Sequence, residues 1–280
     1  MIKFAFFGSS KFSVIVLDEL ELHGFIPICV VTTPDKPKGR KLVMTPTEVK
    51  LWAQKRNIKA FDPMKLDDLF RDGLAKEGCE VFVVASYGKI IPGTIINLPK
   101  YKTLNIHPSL LPKYRGASPL QSAILDDAKE TGVTIMRIDE RMDHGPIVAQ
   151  EKVTVNEWPA YEKFEETMAK VGGKLLAKIL PEWIAGKIEE REQDHSAATY
   201  TKKITKEDGL IDFNDDPYLN FRKTQAYHEW PQAYFFAERN GKQIRVKITG
   251  ASFKDGKLAI EKVIPEGRRE ISWEDFNGRR

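Results

Sequence analysis

The chain is poor in the residues that build ready-made sites. Its 280 residues include 2 cysteines and 5 histidines. Cys29 and Cys79 cannot by themselves staple a disulfide-framed domain or complete a zinc site. No stretch approaches the ~20 apolar residues that span a bilayer. The apolar opening, Met1 to Phe7, is too short for a secretory leader and ends without a cleavage-like site. A cytoplasmic protein with no membrane partner is therefore expected. The turn Phe7-Gly8-Ser9-Ser10-Lys11 carries one glycine where a dinucleotide fingerprint needs three. There is no phosphate-loop lysine motif, no paired-histidine zinc helix and no Gly-x-Ser-x-Gly elbow, and no metal is expected. Excess charge is also small. With 44 basic and 40 acidic residues the net charge is +4, too little to demand a nucleic-acid partner. Disorder is disfavoured, because 15 Phe, 8 Tyr and 5 Trp require a core.

What is present is a strand–helix alternation over the first 150 residues. Ile2–Phe7, Ile26–Thr33, Ile58–Phe61, Glu80–Ala85, Lys102–His107 and Gly132–Ile138 read as strands. Helices are expected at Phe12–Leu22, Leu66–Lys76 and from the Thr45/Pro46 pair to Lys55, with Thr45 as cap and Pro46 in the first turn. Glu80–Ala85 does not alternate, as a strand buried on both faces would not. This predicts an α/β fold: a Rossmann-like, mostly parallel sheet with helices on both faces. Trp158 to Lys187 reads as a long helical stretch. After about residue 205 no long helix is expected. Short alternating runs broken by Asn240-Gly241 and Asp255-Gly256 predict hairpins. Two domains follow, a catalytic one over 1–200 and a small C-terminal β domain over 201–280.

Among the polar residues, Asn105 and His107 stand out. They lie two apart near the end of one strand, so both side chains leave one face while Ile106 leaves the other. Pro108 denies the strand a further ladder bond. Ligands of open α/β sheets gather at the carboxyl ends of strands, although a lone histidine there is often only structural. A carboxylate is on offer in Asp143-His144-Gly145-Pro146, where Gly-Pro fixes a tight turn. An amide, an imidazole and a carboxylate suit acyl transfer to an amine: oxyanion stabilisation, proton movement and orientation of the imidazole. No serine or cysteine nucleophile is needed if the amine attacks directly. Lys36, Lys38, Arg40 and Lys41 put four cations within six residues, interrupted by Pro37 and Gly39. They form either a solvated loop or a mobile arm for phosphate.

Three segments carry a resemblance. Asn105-Ile106-His107-Pro108-Ser109-Leu110-Leu111-Pro112, Tyr114-Arg115-Gly116-Ala117-Ser118-Pro119-Leu120-Gln121 and Asp143-His144-Gly145-Pro146-Ile147 resemble the signature of the folate-dependent formyltransferases. Phe7-Gly8-Ser9-Ser10-Lys11-Phe12, Thr33 to Arg40, Thr131 to Met136 and Trp230-Pro231-Gln232-Ala233-Tyr234 agree with the branch acting on aminoacylated tRNA. The resemblance implies 10-formyltetrahydrofolate as donor and the α-amino group of methionine on initiator tRNA as acceptor. It implies Asn105, His107 and Asp143 as catalytic residues. The amine would attack the formyl carbon, Asn105 and protonated His107 would hold the oxyanion, and Asp143 would orient His107. Folate contacts would map to Ser109, Leu110, Leu111 and Pro112, to Tyr87, Gly88, Ile90 and Ile91, and to Asp139 in the 139–143 loop.

The basic segment Lys36, Lys38, Arg40 and Lys41 would be the tRNA arm. The C-terminal domain would be an OB-like β-barrel, shortened after Ile248-Thr249-Gly250, with Lys242, Arg245 and Lys247 as further phosphate contacts. A monomer is expected. Two rivals share the chemistry: formylation of another amine, such as an amino-sugar nucleotide or glycinamide ribonucleotide, and hydrolysis of the formyl donor by water. A third is a non-catalytic RNA- or folate-binding protein of the same fold.

Overall fold

A computed structural model describes residues 2–39, 42–239 and 241–278. In chain order the strands are β1 (Phe4–Phe7), β2 (Cys29–Val31), β3 (Lys36–Lys38), β4 (Val43–Thr45), β5 (Lys59–Phe61), β6 (Val81–Val84), β7 (Thr103–His107), β8 (Arg115–Gly116), β9 (Glu130–Arg137), β10 (Ile147–Thr154), β11 (Tyr200–Thr201), β12 (Tyr234–Arg239), β13 (Lys242–Lys254), β14 (Lys257–Pro265) and β15 (Ile271–Ser272). The helices are α1 (Lys11–Leu22), α2 (Glu48–Gln54), α3 (Asp68–Ala75), α4 (Gly93–Ile96), α5 (Pro119–Leu125), α6 (Tyr161–Ile184), α7 (Pro217–Ala226) and α8 (Trp273–Gly278).

Seven strands make one sheet in the order β10-β9-β7-β6-β1-β2-β5. Pairing is parallel from β5 through β2, β1 and β6 to β7, and turns antiparallel between β7 and β9. The buried runs Phe4–Phe7 and Val81–Val84 need apolar cover on both faces, and they have it. On one face Ala5, Phe7, Cys29, Val31, Phe82 and Val84 pack with Phe70 and Leu74 of α3 and Ile95 of α4. On the other, α6 comes close because two positions lack a side chain. A Cβ at Gly172 would fall 2.6 Å from Ile106 of β7, and one at Gly173 would fall 2.6 Å from Glu19 of α1.

The chain divides into two compact units. One comprises Met1–Arg115, Gly132–Val153 and Glu166–Tyr200; the other comprises Gly116–Thr131, Thr154–Glu165 and Thr201–Arg280. The second unit holds a separate antiparallel sheet, β12-β13-β14-β15, over a core of Phe235, Val246, Ile248, Val263 and Phe276. Asp255 and Gly256 both have positive φ, +50° and +72°, as the tight turn joining β13 to β14 requires.

Two local readings change. Thr45 and Pro46 do not start α2. Thr45 is paired with Lys36 in the β3–β4 hairpin, and the cap is Thr47, whose hydroxyl accepts from Lys50 N at 3.1 Å. The C-terminal segment also holds a ten-residue helix, α7. Asp216 caps it by accepting from Tyr218 N and Leu219 N, and Pro217 opens it.

Candidate active site

The ends of β1, β2, β6 and β7 share a direction, so their following loops lie along one sheet edge. Side chains there tie the loops together. Ser13 Oγ donates to Ala85 O at 2.6 Å, Ser9 N to Ser86 O at 3.2 Å, and Thr33 N to Ser9 Oγ at 3.1 Å. A Cβ at Gly8 would collide with Ser13 at 2.6 Å, so only glycine admits this closure.

Register places Asn105 in a row that crosses the sheet: Val31, Phe7, Val84, Asn105, Met136. It is the one polar member of that row. Its carboxamide makes no protein hydrogen bond among the described residues. His107, on the same face, is 4% exposed. Its Nε2 stands 2.9 Å from Tyr114 O. A carbonyl only accepts, so Nε2 carries a proton and donates. Nδ1 then faces the Asp143 carboxylate, with Oδ1 at 3.6 Å. This is ion-pair range, just beyond a direct hydrogen bond.

Asp143 arrives by an indirect route. Because β9 runs against β7, its far end lies beside Thr103, where Ile138 N donates to Thr103 O at 2.9 Å. The following turn folds back from there to bring Asp143 to His107. Asp143 has φ +49°, in the left-handed region that costs a residue with a side chain about 1–2 kcal/mol. Within the turn Asp139 accepts from Arg141 N at 2.9 Å and holds His144 Nδ1 at 2.7 Å. Gly145 meets Arg137 so closely that a Cβ would fall 1.9 Å from Arg137 O.

The remaining expected ligand contacts differ in setting. Ser109 is fully buried and donates to Lys113 O at 2.6 Å, while its carbonyl accepts from Thr134 Oγ1 at 2.6 Å. Leu111 packs with Met136 and Ile147, and Thr134 Oγ1 accepts from Leu111 N at 3.1 Å. Leu110 and Pro112 are half-buried. The Tyr87 ring packs edge-on against Phe7 at 5.5 Å. Its hydroxyl is buried without a partner, and burial pushes its pKa up to about 12. Gly88 has φ +78° and open space above its Cα; Ile91 is half-buried and Ile90 is exposed. Segment 109–112 is thus a rigid ledge, and segment 87–91 an open rim. Lys36 and Lys38 are exposed on the β3–β4 hairpin, whereas Arg40 and Lys41 lie outside the described residues. On β13, the Arg245 guanidinium sits 3.7 Å over the Tyr234 ring.

The family match is broad. A model described as formyl transferase matches residues 2–180, and one described as formyl transferase, C-terminal domain, matches 203–257. The chain belongs to the formyl transferase family. Among curated relatives, a protein of Chloroflexus aurantiacus named methionyl-tRNA formyltransferase is 40% identical over 90% of this chain and 81% of its own length. A protein of the same name from Thermotoga maritima is 33% identical over 99% and 95%. Among solved structures, an N-formyltransferase from Helicobacter canadensis in complex with folinic acid and dTDP-3-aminofucose superposes with TM-score 0.65, at 21% identity over 91% of this chain and 89% of that one. At that identity the likeness speaks for the formyl transferase fold alone. Among the described residues no cluster of His, Cys, Asp or Glu could hold a metal, and no helix is long and apolar enough to cross a membrane.

Sequence reasoning missed two residues beside the site. Arg115, in the Tyr114 to Gln121 segment, is 1% exposed, and Gln193 is 5% exposed. Gln193 follows a run of charged residues that reads as a solvated stretch. Its one visible signal is an uncharged amide inside that run.

Proposed function

We propose that this formyl transferase moves the formyl group of 10-formyltetrahydrofolate onto the α-amino group of methionine carried by initiator tRNA. The names of relatives 33–40% identical over most of the chain support the acceptor. The observation that carries the chemistry is the approach of Asp143 Oδ1 to His107 Nδ1 at 3.6 Å, beside an Asn105 amide that makes no protein hydrogen bond among the described residues. Asn105 donates an N–H to the formyl oxygen as the amine attacks and negative charge develops there. His107, neutral before attack and not protonated as the resemblance implies, takes the amine proton on Nδ1, because Nε2 is engaged with Tyr114 O. Asp143 stabilises the imidazolium so formed and orients the ring. His107 then delivers that proton to N10 of the departing tetrahydrofolate, so one C–N bond forms as another breaks and no proton is lost.

Backbone edges of Ser109 to Pro112 and of Tyr87 to Ile91 would receive the pterin, with Asp139 closing the turn above it. That fits a mostly apolar site with a few convergent polar groups. The exposed hairpin with Lys36 and Lys38 would meet tRNA phosphates, together with Arg40 and Lys41. The chain is taken to act as a monomer in the cytoplasm, with residues 1–200 as catalytic domain and 201–280 contacting tRNA. The test is formyl transfer from 10-formyltetrahydrofolate with Met-tRNA and amino-sugar nucleotides as competing acceptors. Steeply salt-dependent formylation of Met-tRNA is expected. Preference for the amino sugar, or release of formate without acceptor, would replace this reading with one of its rivals.

A further inference from the structure

Asp143 holds a backbone conformation that asks for outside support, since left-handed residues with side chains persist where the surroundings over-determine them. The support comes from 50 residues away. Nε2 of Gln193 donates to Asp143 O at 2.9 Å and to Gly145 O at 2.6 Å. The segment carrying Gln193 is pinned just before it, where Arg191 and Ile147 exchange backbone hydrogen bonds of 2.9 and 2.8 Å. Gln193 Oε1 accepts from Nε and Nη2 of Arg115 at 3.2 and 2.7 Å. Arginine only donates and a carbonyl only accepts, so this amide has a single workable orientation, with its donors and its oxygen all engaged. Arg115 also donates to His195 Nδ1 at 2.9 Å, and the His195 ring stacks on His144 at 4.0 Å. Arg115 directly follows Tyr114, whose carbonyl seats His107. One buried carboxamide is thereby bonded to the turn that carries Asp143 and to the neighbour of the residue that seats His107.

We infer that Gln193 is a positioning residue for formyl transfer, fixing Asp143 against His107 by joining their two loops. This rests on the reading of Asn105, His107 and Asp143 as the catalytic group. Gln193 acts through backbone carbonyls and not on reacting atoms.

The test uses Gln193→Glu, which keeps the shape and the Arg115 contact but sets oxygen against both carbonyls, and Gln193→Met, which keeps the stem and removes the amide. Formylation of Met-tRNA should lose about 10- to 100-fold in kcat in each folded variant, with both KM values within about threefold of wild type. In an Asp143→Asn background the same substitutions should change kcat by less than about threefold, because no carboxylate remains to be placed. A general structural role would give the same factor in both backgrounds, and that result overturns the inference. So does near-normal kcat in the single variants. Should neither variant fold, side-chain amide exchange in the wild-type protein decides: slow exchange of the Gln193 Nε2 protons supports the clamp, and fast exchange removes it. A wild-type chain that formylates no Met-tRNA would instead defeat the functional reading.

Discussion

Gly145→Ala probes how tightly the Asp143 turn is fitted. The new Cβ would fall 1.9 Å from Arg137 O, 3.1 Å from Arg137 C and 3.3 Å from Asp139 N. A carbon and a carbonyl oxygen rest roughly 3.3 Å apart, so the two backbones must separate by about 1.4 Å. No side-chain rotation can relieve a contact between backbone atoms. The displacement falls two residues from Asp143, on the residue whose carbonyl Gln193 holds at 2.6 Å. A misplacement of about 1 Å can cost on the order of 10²-fold in rate, and overpacking costs about 1–3 kcal/mol of stability. At roughly 2–4 °C per kcal/mol for a chain of this size class, the melting temperature should fall by about 2–12 °C. Formyl transfer at saturating donor and Met-tRNA, with a thermal melt beside it, measures both. Wild-type kcat in a protein whose melting temperature has dropped would show that the strain never reaches Asp143. An unchanged kcat and melting temperature would refute the close contact itself.

Other outcomes follow from the same geometry. Gly73→Ala, in α3 with open space where its Cβ would go, should stabilise by about 0.5–1 kcal/mol and leave kcat alone; a destabilised variant would contradict it. His107→Ala should lower kcat by at least ~10² while donor binding, followed by fluorescence, survives; near-normal turnover would remove the imidazole from the mechanism. Asp127 gives a pH prediction. Burial raises its pKa, but hydrogen bonds from Lys129, Trp158 and Tyr218 outweigh this and leave it below the usual aspartate range. Its stabilisation is therefore present above the unfolded value of about 3.9 and fades as pH falls through the lower folded value. Asp127→Ala should cost about 1–3 kcal/mol at pH 7 and clearly less at pH 3 in denaturant melts, and equal costs would count against it.

The sequence exposes the central strands because their cover on both faces leaves no room for polar alternation, as in Glu80–Ala85. It also exposes Asn105 and His107, since a two-residue spacing on a strand fixes a shared face. The approach of Asp143 to His107 is suggested by the tight turn but not dictated, because it depends on β9 running against β7 and on a turn that doubles back. Gln193 is hidden for a stronger reason. Its partners lie 50 and 78 residues away, and its one local mark, an uncharged amide in a charged stretch, does not by itself signal burial. Tyr87 shows the reverse case: it lies in a segment that resembles a ligand contact, yet its ring is core. The Thr47 cap is missed because Thr45 is the stronger local candidate until the hairpin claims it.

The antiparallel step between β7 and β9 makes the spacing of the site discrete. The reach of the Asp143 turn is counted from the Ile138–Thr103 rung, at the end of β7 away from the imidazole. A one-residue offset of β9 would send its inward side chains outward. A two-residue offset would preserve inside and outside but carry the turn along by about 6.8 Å. The carboxylate therefore cannot be eased toward or away from the ring by sliding the strand; any fine adjustment of that gap falls to the turn and to the bonds that hold it.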